Sequence, residues 1–180
     1  MRPSPHPAHR HAAFFTRMFA DPENTANAAG LRIGLAVSRY HAPITEAMSA
    51  AAIERFISAG GSKENLRVVA APGAFELTAI ARALAVRDDI DAVVALGCVI
   101  SGETTHDQYI AGALAQGLTM ITARTGVPVS FGVLTCQTLA QAQARAGGAK
   151  GNKGAEAMTA AIEAACTIRS LQCPPPKGKC

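Results

Sequence analysis

Ala92-Val-Val-Ala-Leu-Gly97, continuing as Cys98-Val-Ile-Ser-Gly-Glu-Thr-Thr-His106, is the stretch on which the fold turns. Its first six residues are apolar without alternation, which reads as a strand buried on both faces. The polar loop after it opens into a helix, because Ile110, Leu114, Gly117, Leu118 and Ile121 recur at helical spacing. A strand covered on both sides needs helices above and below it, and parallel neighbours joined by crossovers supply them.

The same unit recurs on either side. Leu31-Arg-Ile-Gly-Leu-Ala-Val37 predicts a strand, and a helix starts at Pro43, a residue favoured in the first helical position. Ile44, Met48, Ala52 and Phe56 line one face of that helix, and Gly60-Gly61 ends it. A second strand, Leu66–Ala71, runs through Pro72-Gly73 into a helix carrying Leu77, Ile80, Ala81 and Leu84. The fourth strand, Pro128–Leu134, precedes a helical region with a glycine-rich break over 147–151, then a last helix on Met158, Ile162, Ala165 and Cys166. The pattern predicts an α/β protein: a three-layer sandwich with a four-stranded parallel sheet, flavodoxin-like. Residues 31–172 make the domain, 1–30 a flexible N-terminal extension, and 173–180 a flexible tail, since Pro174–Pro176 cannot continue a helix.

Composition narrows the function. At 180 residues one core is the default, and with aromatics at 4% and no Trp it must be built from Ala, Val, Ile and Leu. The net charge of +4 is scattered rather than striped, which argues against nucleic acid as a partner and for a local site that takes a small anion. Five cysteines, Cys98, Cys136, Cys166, Cys173 and Cys180, form no C-x-x-C pair, so neither a disulfide framework nor a zinc site is indicated and a reducing cytoplasm is expected. No apolar run approaches the ~20 residues of a membrane span.

In a parallel sheet of this kind ligands sit beyond the carboxyl ends of the strands. The loops expected there are Ser38–Ala42, Pro72–Glu76, Cys98–His106 and Thr135–Thr138. Thr104 or Thr105 can cap the third helix with its hydroxyl, and a helix start with free N–H groups accepts a phosphate. His106 reads as a proton carrier, since an imidazole changes charge near neutral pH, or as a mere helix-start residue. Arg145 and Lys153 are the cations nearest the glycine-rich turn, and a guanidinium can hold phosphate through two parallel bonds. Glu76 can bind hydroxyls of a polyol or simply favour the helix dipole, and the ring of Tyr40 can stack on a planar heterocycle or pack structurally.

Taken in order, Pro72-Gly-Ala-Phe-Glu-Leu77, Gly97–His106, Pro128-Val-Ser-Phe-Gly-Val-Leu-Thr135, Gln141-x-x-x-Arg-Ala-Gly147 and Gly151-Asn-Lys-Gly-Ala-Glu-Ala157 resemble the lumazine synthase family from about Arg32 to Ala165. The resemblance implies condensation of 5-amino-6-(D-ribitylamino)uracil with 3,4-dihydroxy-2-butanone 4-phosphate to 6,7-dimethyl-8-ribityllumazine, without metal or organic cofactor. It gives His106 the proton-transfer role. Glu103, Thr104 and Arg145 hold the butanone phosphate. Tyr40 stacks on the pyrimidine, Ala74, Phe75 and Glu76 hold the ribityl chain, and Cys98, Val99 and Ile100 read the pyrimidine edge. Phe131 completes the site from a neighbouring subunit, and Lys153 falls near the pyrimidine. Homopentamers, a sixty-subunit shell of twelve pentamers, and riboflavin synthase are the implied partners. The short Gly147–Lys153 loop has the form seen in shell-forming members. Tyr40, His41, Ser101 and the pair Asp107-Gln108 depart from the commonest family pattern. Fold by itself would also admit a flavin- or nucleotide-binding module.

Overall fold

The computed structural model describes residues 27–172, so the extension before Asn27 and the tail after Gln172 lie outside the described residues. Four strands, β1 (Ile33–Ser38), β2 (Leu66–Ala71), β3 (Ala92–Ile100) and β4 (Val129–Cys136), form a parallel sheet in the order β2-β1-β3-β4. Five α-helices accompany it among the described residues: α1 (Ala42–Ser58), α2 (Leu77–Ala85), α3 (His106–Thr125), α4 (Leu139–Arg145) and α5 (Lys153–Gln172). This is the expected flavodoxin-like sandwich.

Strand β3 is buried throughout except at Ile100. Because successive side chains point to opposite faces, it feeds two cores. Val94, Leu96 and Cys98 pack with Met48 and Phe56 of α1 and with Met158 and Ile162 of α5. Val93, Ala95 and Val99 pack on the other side with Leu77 and Ala81 of α2 and Leu114 and Leu118 of α3. Ile44, Met48, Ala52 and Phe56 are all buried, as their four-residue spacing requires.

The strand ends differ from the sequence reading. Strands β3 and β4 run on to Ile100 and Cys136, so the connections after them are shorter than Cys98–His106 and Thr135–Thr138. Gly97 is no strand break: a Cβ there would stand 3.0 Å from Cδ1 of Leu77, so the glycine admits α2 against the sheet. At the amino end the packed chain reaches back into the stretch assigned to the extension, since Ala28 is fully buried and its N–H donates to the carbonyl of Ala59 at 2.8 Å. The glycine-rich break is a two-stranded antiparallel turn, β5 (Ala146–Gly148) and β6 (Gly151–Asn152), with Gly147 and Gly151 at φ 113° and 75°, which favour glycine. It delivers Asn152 as a cap for α5, its Oδ1 accepting from Gly154 N at 2.8 Å. Gly154 itself cannot carry a side chain, because a Cβ would lie 2.0 Å from the carbonyl oxygen of Met48 on α1.

At the opposite end of the sheet from the connections just described, Asp91 clasps the starts of β1 and β3 to the end of α5. Its carboxylate accepts from Arg32 N at 2.7 Å and from the Arg32 side chain at 3.3 Å, and Arg169 Nη2 stands 3.3 Å away. Partial burial pushes the Asp91 carboxyl up, but the bonds and charge from Arg32 and the charge of Arg169 outweigh it, and the net shift is downward. A depressed carboxylate contributes stability above its unfolded-state value and loses it as pH falls through the folded value. Asp91→Asn should therefore cost on the order of 1 kcal/mol near neutral pH. In a denaturant titration repeated across pH, that difference should begin to shrink below about pH 4, where the unfolded-state carboxylate protonates, and should vanish once pH falls below the lower native value. A difference that persists unchanged at pH 3 would contradict the assignment.

Candidate active site

The order β2-β1-β3-β4 changes direction between β1 and β3, and a crevice opens beyond their carboxyl ends. A cavity of about 810 Å³ occupies it. Tyr40 comes from the corner after β1, Ala74, Phe75 and Glu76 from the corner after β2, and Cys98, Val99 and Ile100 form the end of β3. Thr104 and His106 enter from the start of α3.

Each corner has a local cause. Ser38, fully buried, accepts from the Tyr40 N–H at 3.2 Å, and Arg39 N donates to Ala71 O at 2.8 Å, which turns the chain sharply out of β1. His41 then adopts φ 57° and ψ 46°, a left-handed conformation in which Asn and His are enriched, and starts α1. The His41 ring meets Tyr40 edge-on, 4.8 Å between centroids at 76°, so it braces a ring that is 66% exposed. After β2, Gly73 leaves room for the Glu76 carboxylate, since a Cβ there would lie 2.9 Å from Oε2 of Glu76.

The connection from β3 to α3 spans residues 101–105. Thr105 occupies the cap position, yet its side chain makes no capping hydrogen bond, contrary to expectation. The hydroxyl is not aimed back along the helix because the residue sits at φ −77°, ψ 14° rather than in the extended conformation of a capping residue. The first N–H groups of α3 are left without that side-chain cap, beside the exposed His106. Thr138 does cap α4, accepting from Gln141 N at 3.2 Å.

Phe131 and Arg145 are not in this cavity. They line a second concavity of about 380 Å³ with Lys153 and Glu156, whose floor is Ser130–Cys136 of β4. There Arg145, the last residue of α4, donates from Nη1 to Gln141 O at 3.1 Å, and Lys153 pairs with Glu156. Glu103 lies in the exposed connection beside Thr104, off the cavity wall. The expected convergence of all four loops on one site therefore holds for three within a single chain. Conversely, the cavity includes residues the sequence reading passed over, Tyr109 above all, which is 74% exposed. It stands three residues after His106, on the same face of α3, and that spacing was the available signal. Among the described residues no group of three or more His, Cys, Asp or Glu side chains could hold a metal ion.

A model of the 6,7-dimethyl-8-ribityllumazine synthase family matches residues 30–169. The 6,7-dimethyl-8-ribityllumazine synthase of Thermus thermophilus is 48% identical over 136 residues, 76% of this chain and 87% of the relative. Those of Porphyromonas gingivalis and Aquifex aeolicus are 43% and 40% identical over 145 and 150 residues, covering 81% and 83% of this chain and 90% and 97% of the relatives.

The wall of the cavity includes one thiol. Burial pushes Cys98 up to about 11, and the neighbouring Cys136 acts in the same direction. The thiolate is the reactive form, so in the folded protein at pH 8 Cys98 should alkylate roughly tenfold or more slowly than the partly exposed Cys166. Peptide-resolved mass spectrometry after timed iodoacetamide treatment checks this, and equal rates would refute it.

Proposed function

The chain belongs to the 6,7-dimethyl-8-ribityllumazine synthase family, and on that premise we propose that its reaction runs in a site shared between two copies of the chain. The protein is a transferase of riboflavin biosynthesis: it condenses 5-amino-6-(D-ribitylamino)uracil with 3,4-dihydroxy-2-butanone 4-phosphate to 6,7-dimethyl-8-ribityllumazine. One observation carries the shared-site reading. Tyr40, Glu76 and His106 line one cavity, whereas Phe131 and Arg145 line another.

In this reading Tyr40 stacks on the pyrimidine, Cys98–Ile100 read its edge, and Ala74–Glu76 hold the ribityl chain through backbone groups and the Glu76 carboxylate. The phosphate of the butanone sits at the start of α3, against Glu103 and Thr104 backbone and the Thr104 hydroxyl, where N–H groups and the helix dipole favour an anion. Arg145 of the neighbouring copy closes over it, and Phe131 of that copy covers the ring. The 5-amino group adds to the ketone and water leaves to give an imine. Phosphate is then lost, the product tautomerises, and the ribityl-bearing nitrogen closes the ring with loss of water. Every step moves a proton, and His106 stands where it can donate and retrieve one. Binding and orientation do most of the work, so loss of His106 slows the reaction without abolishing it.

Exposed rings support a second copy at this surface: Tyr40, Phe75, Tyr109 and Phe131 are 66%, 58%, 74% and 44% exposed in the single chain. A head-to-tail contact of this kind generates a ring when the rotation between successive copies closes. The family's homopentamer is the assembly we assign, with twelve pentamers forming a shell, favoured by the short turn β5–β6, and riboflavin synthase as a partner. We place the protein in the cytoplasm, a location that suits the free thiols Cys98, Cys136 and Cys166. Among the described residues no helix is long and apolar enough to cross a membrane.

Purified protein mixed with both substrates should form the fluorescent lumazine faster than the spontaneous reaction. Arg145→Ala should raise KM for the butanone phosphate about 10-fold or more and leave that for the uracil nearly unchanged, because it removes a charge-assisted contact. Co-refolding Arg145→Ala with His106→Ala should restore activity toward roughly a quarter of the unsubstituted rate, since random neighbours rebuild intact shared sites. No recovery above the separate variants would confine the site to one chain.

A further inference from the structure

The connection between β3 and α3 carries the groups that the functional reading needs most, yet little holds it. Residues 101–106 are exposed, Gly102 has open space around it, and Thr105 provides no side-chain cap. Among the described residues one side-chain hydrogen bond spans it: Ser101 Oγ donates to Asp107 Oδ2 at 2.8 Å. Ser101 is in turn anchored to the sheet, its N–H donating to Cys136 O of β4 at 2.8 Å. The bond therefore ties the rigid end of the sheet directly to the first turn of α3, and closes residues 102–106 into a short loop. Asp107 also reaches the wall of the 810 Å³ cavity and adjoins His106 in sequence.

We propose that Ser101 and Asp107 form a positioning lock, which fixes His106 and the Glu103–Thr104 backbone relative to the strand end that reads the pyrimidine. The serine is short enough to reach an acid one residue after the histidine, and a carboxylate in the first turn of α3 is favoured by the dipole as well as by the hydroxyl. Neither residue touches the reacting atoms in this assignment. They act through the placement of His106 and of the phosphate-binding N–H groups. The uracil end of the site, built on Tyr40, Ala74–Glu76 and Cys98–Ile100, does not depend on the lock. The inference rests on the assigned reaction and the role of His106 for its kinetic consequence, though the lock itself is a feature of the loop.

Two measurements on the full-length protein test it. In the lumazine assay Ser101→Ala should lower kcat about tenfold with KM for the uracil within about twofold, since a misplacement near 1 Å is costly to a reaction governed by orientation. Asp107→Ala should do the same, and the double variant should be no slower than either single one, because both remove one interaction. Ser101→Thr keeps the hydroxyl and Asp107→Asn keeps an accepting oxygen, so both should stay within about twofold of the unsubstituted rate. Independently of activity, cleavage after Glu103 by a glutamate-specific protease should speed up several-fold in Ser101→Ala and Asp107→Ala and not in Ser101→Thr. Unchanged cleavage in Ser101→Ala overturns the lock. Faster cleavage with unchanged kcat overturns its positioning role, as do multiplying losses in the double variant. An Asp107→Asn as slow as Asp107→Ala assigns the effect to charge and also overturns it. A protein that forms no lumazine but shows the cleavage pattern keeps the lock and contradicts the assigned reaction instead.

Discussion

Burial of β3 on both faces is the constraint from which the rest of the structure follows. With Val94, Leu96 and Cys98 committed to one core and Val93, Ala95 and Val99 to the other, no face of the strand is left for water. Helices must then cover both sides, and crossover connections must run on both sides of the sheet. Helices α1 and α5 take one side, α2 and α3 the other, and the change of side between β1 and β3 leaves a crevice at their carboxyl ends. The sheet thereby separates stability from chemistry. Its amino end is tied by the Arg32–Asp91–Arg169 clasp, and its carboxyl end is left open at the 810 Å³ cavity.

The sequence made the layers legible because apolar periodicity is a local property. Four strands and the helices between them could be read from runs such as Ala92–Gly97 and the spacing of Ile44, Met48, Ala52 and Phe56. The strand ends were less legible for a tertiary reason. Gly97 looks like a stop, and only the position of Leu77 on α2 shows that it is a place where a side chain would not fit. The same limit applies to the site. Tyr40, the Ala74–Glu76 segment, Thr104 and His106 follow strand ends and Cys98–Ile100 form one, so a topological rule was enough to gather them. Phe131 lies within β4 and Arg145 at the end of α4, and no rule of spacing tells which side of an edge strand such residues face. The Ser101–Asp107 bond was hidden for a different reason, since each residue appeared only as a departure from a pattern and nothing in the sequence linked the two.

Register relates the two concavities within one chain. Cys98, Val99 and Ile100 on the wall of the first cavity pair with Leu134, Thr135 and Cys136, which form the floor of the second. The β3–β4 ladder thus stands between the two concavities. Within one chain Arg145 lines the concavity beside β4, and His106 the cavity at the end of β3. Among the described residues strand β4 is also an edge of the sheet, and such edges are normally covered or guarded. In the proposed assembly one contact answers both needs: a second copy covers the edge of β4 and brings Phe131 and Arg145 to the cavity beside β3. The ring then becomes part of the catalyst. A chemistry that depends on holding two small substrates in register gains from a site whose two walls are rigid and separately built, because each wall is fixed by its own core before the substrates arrive.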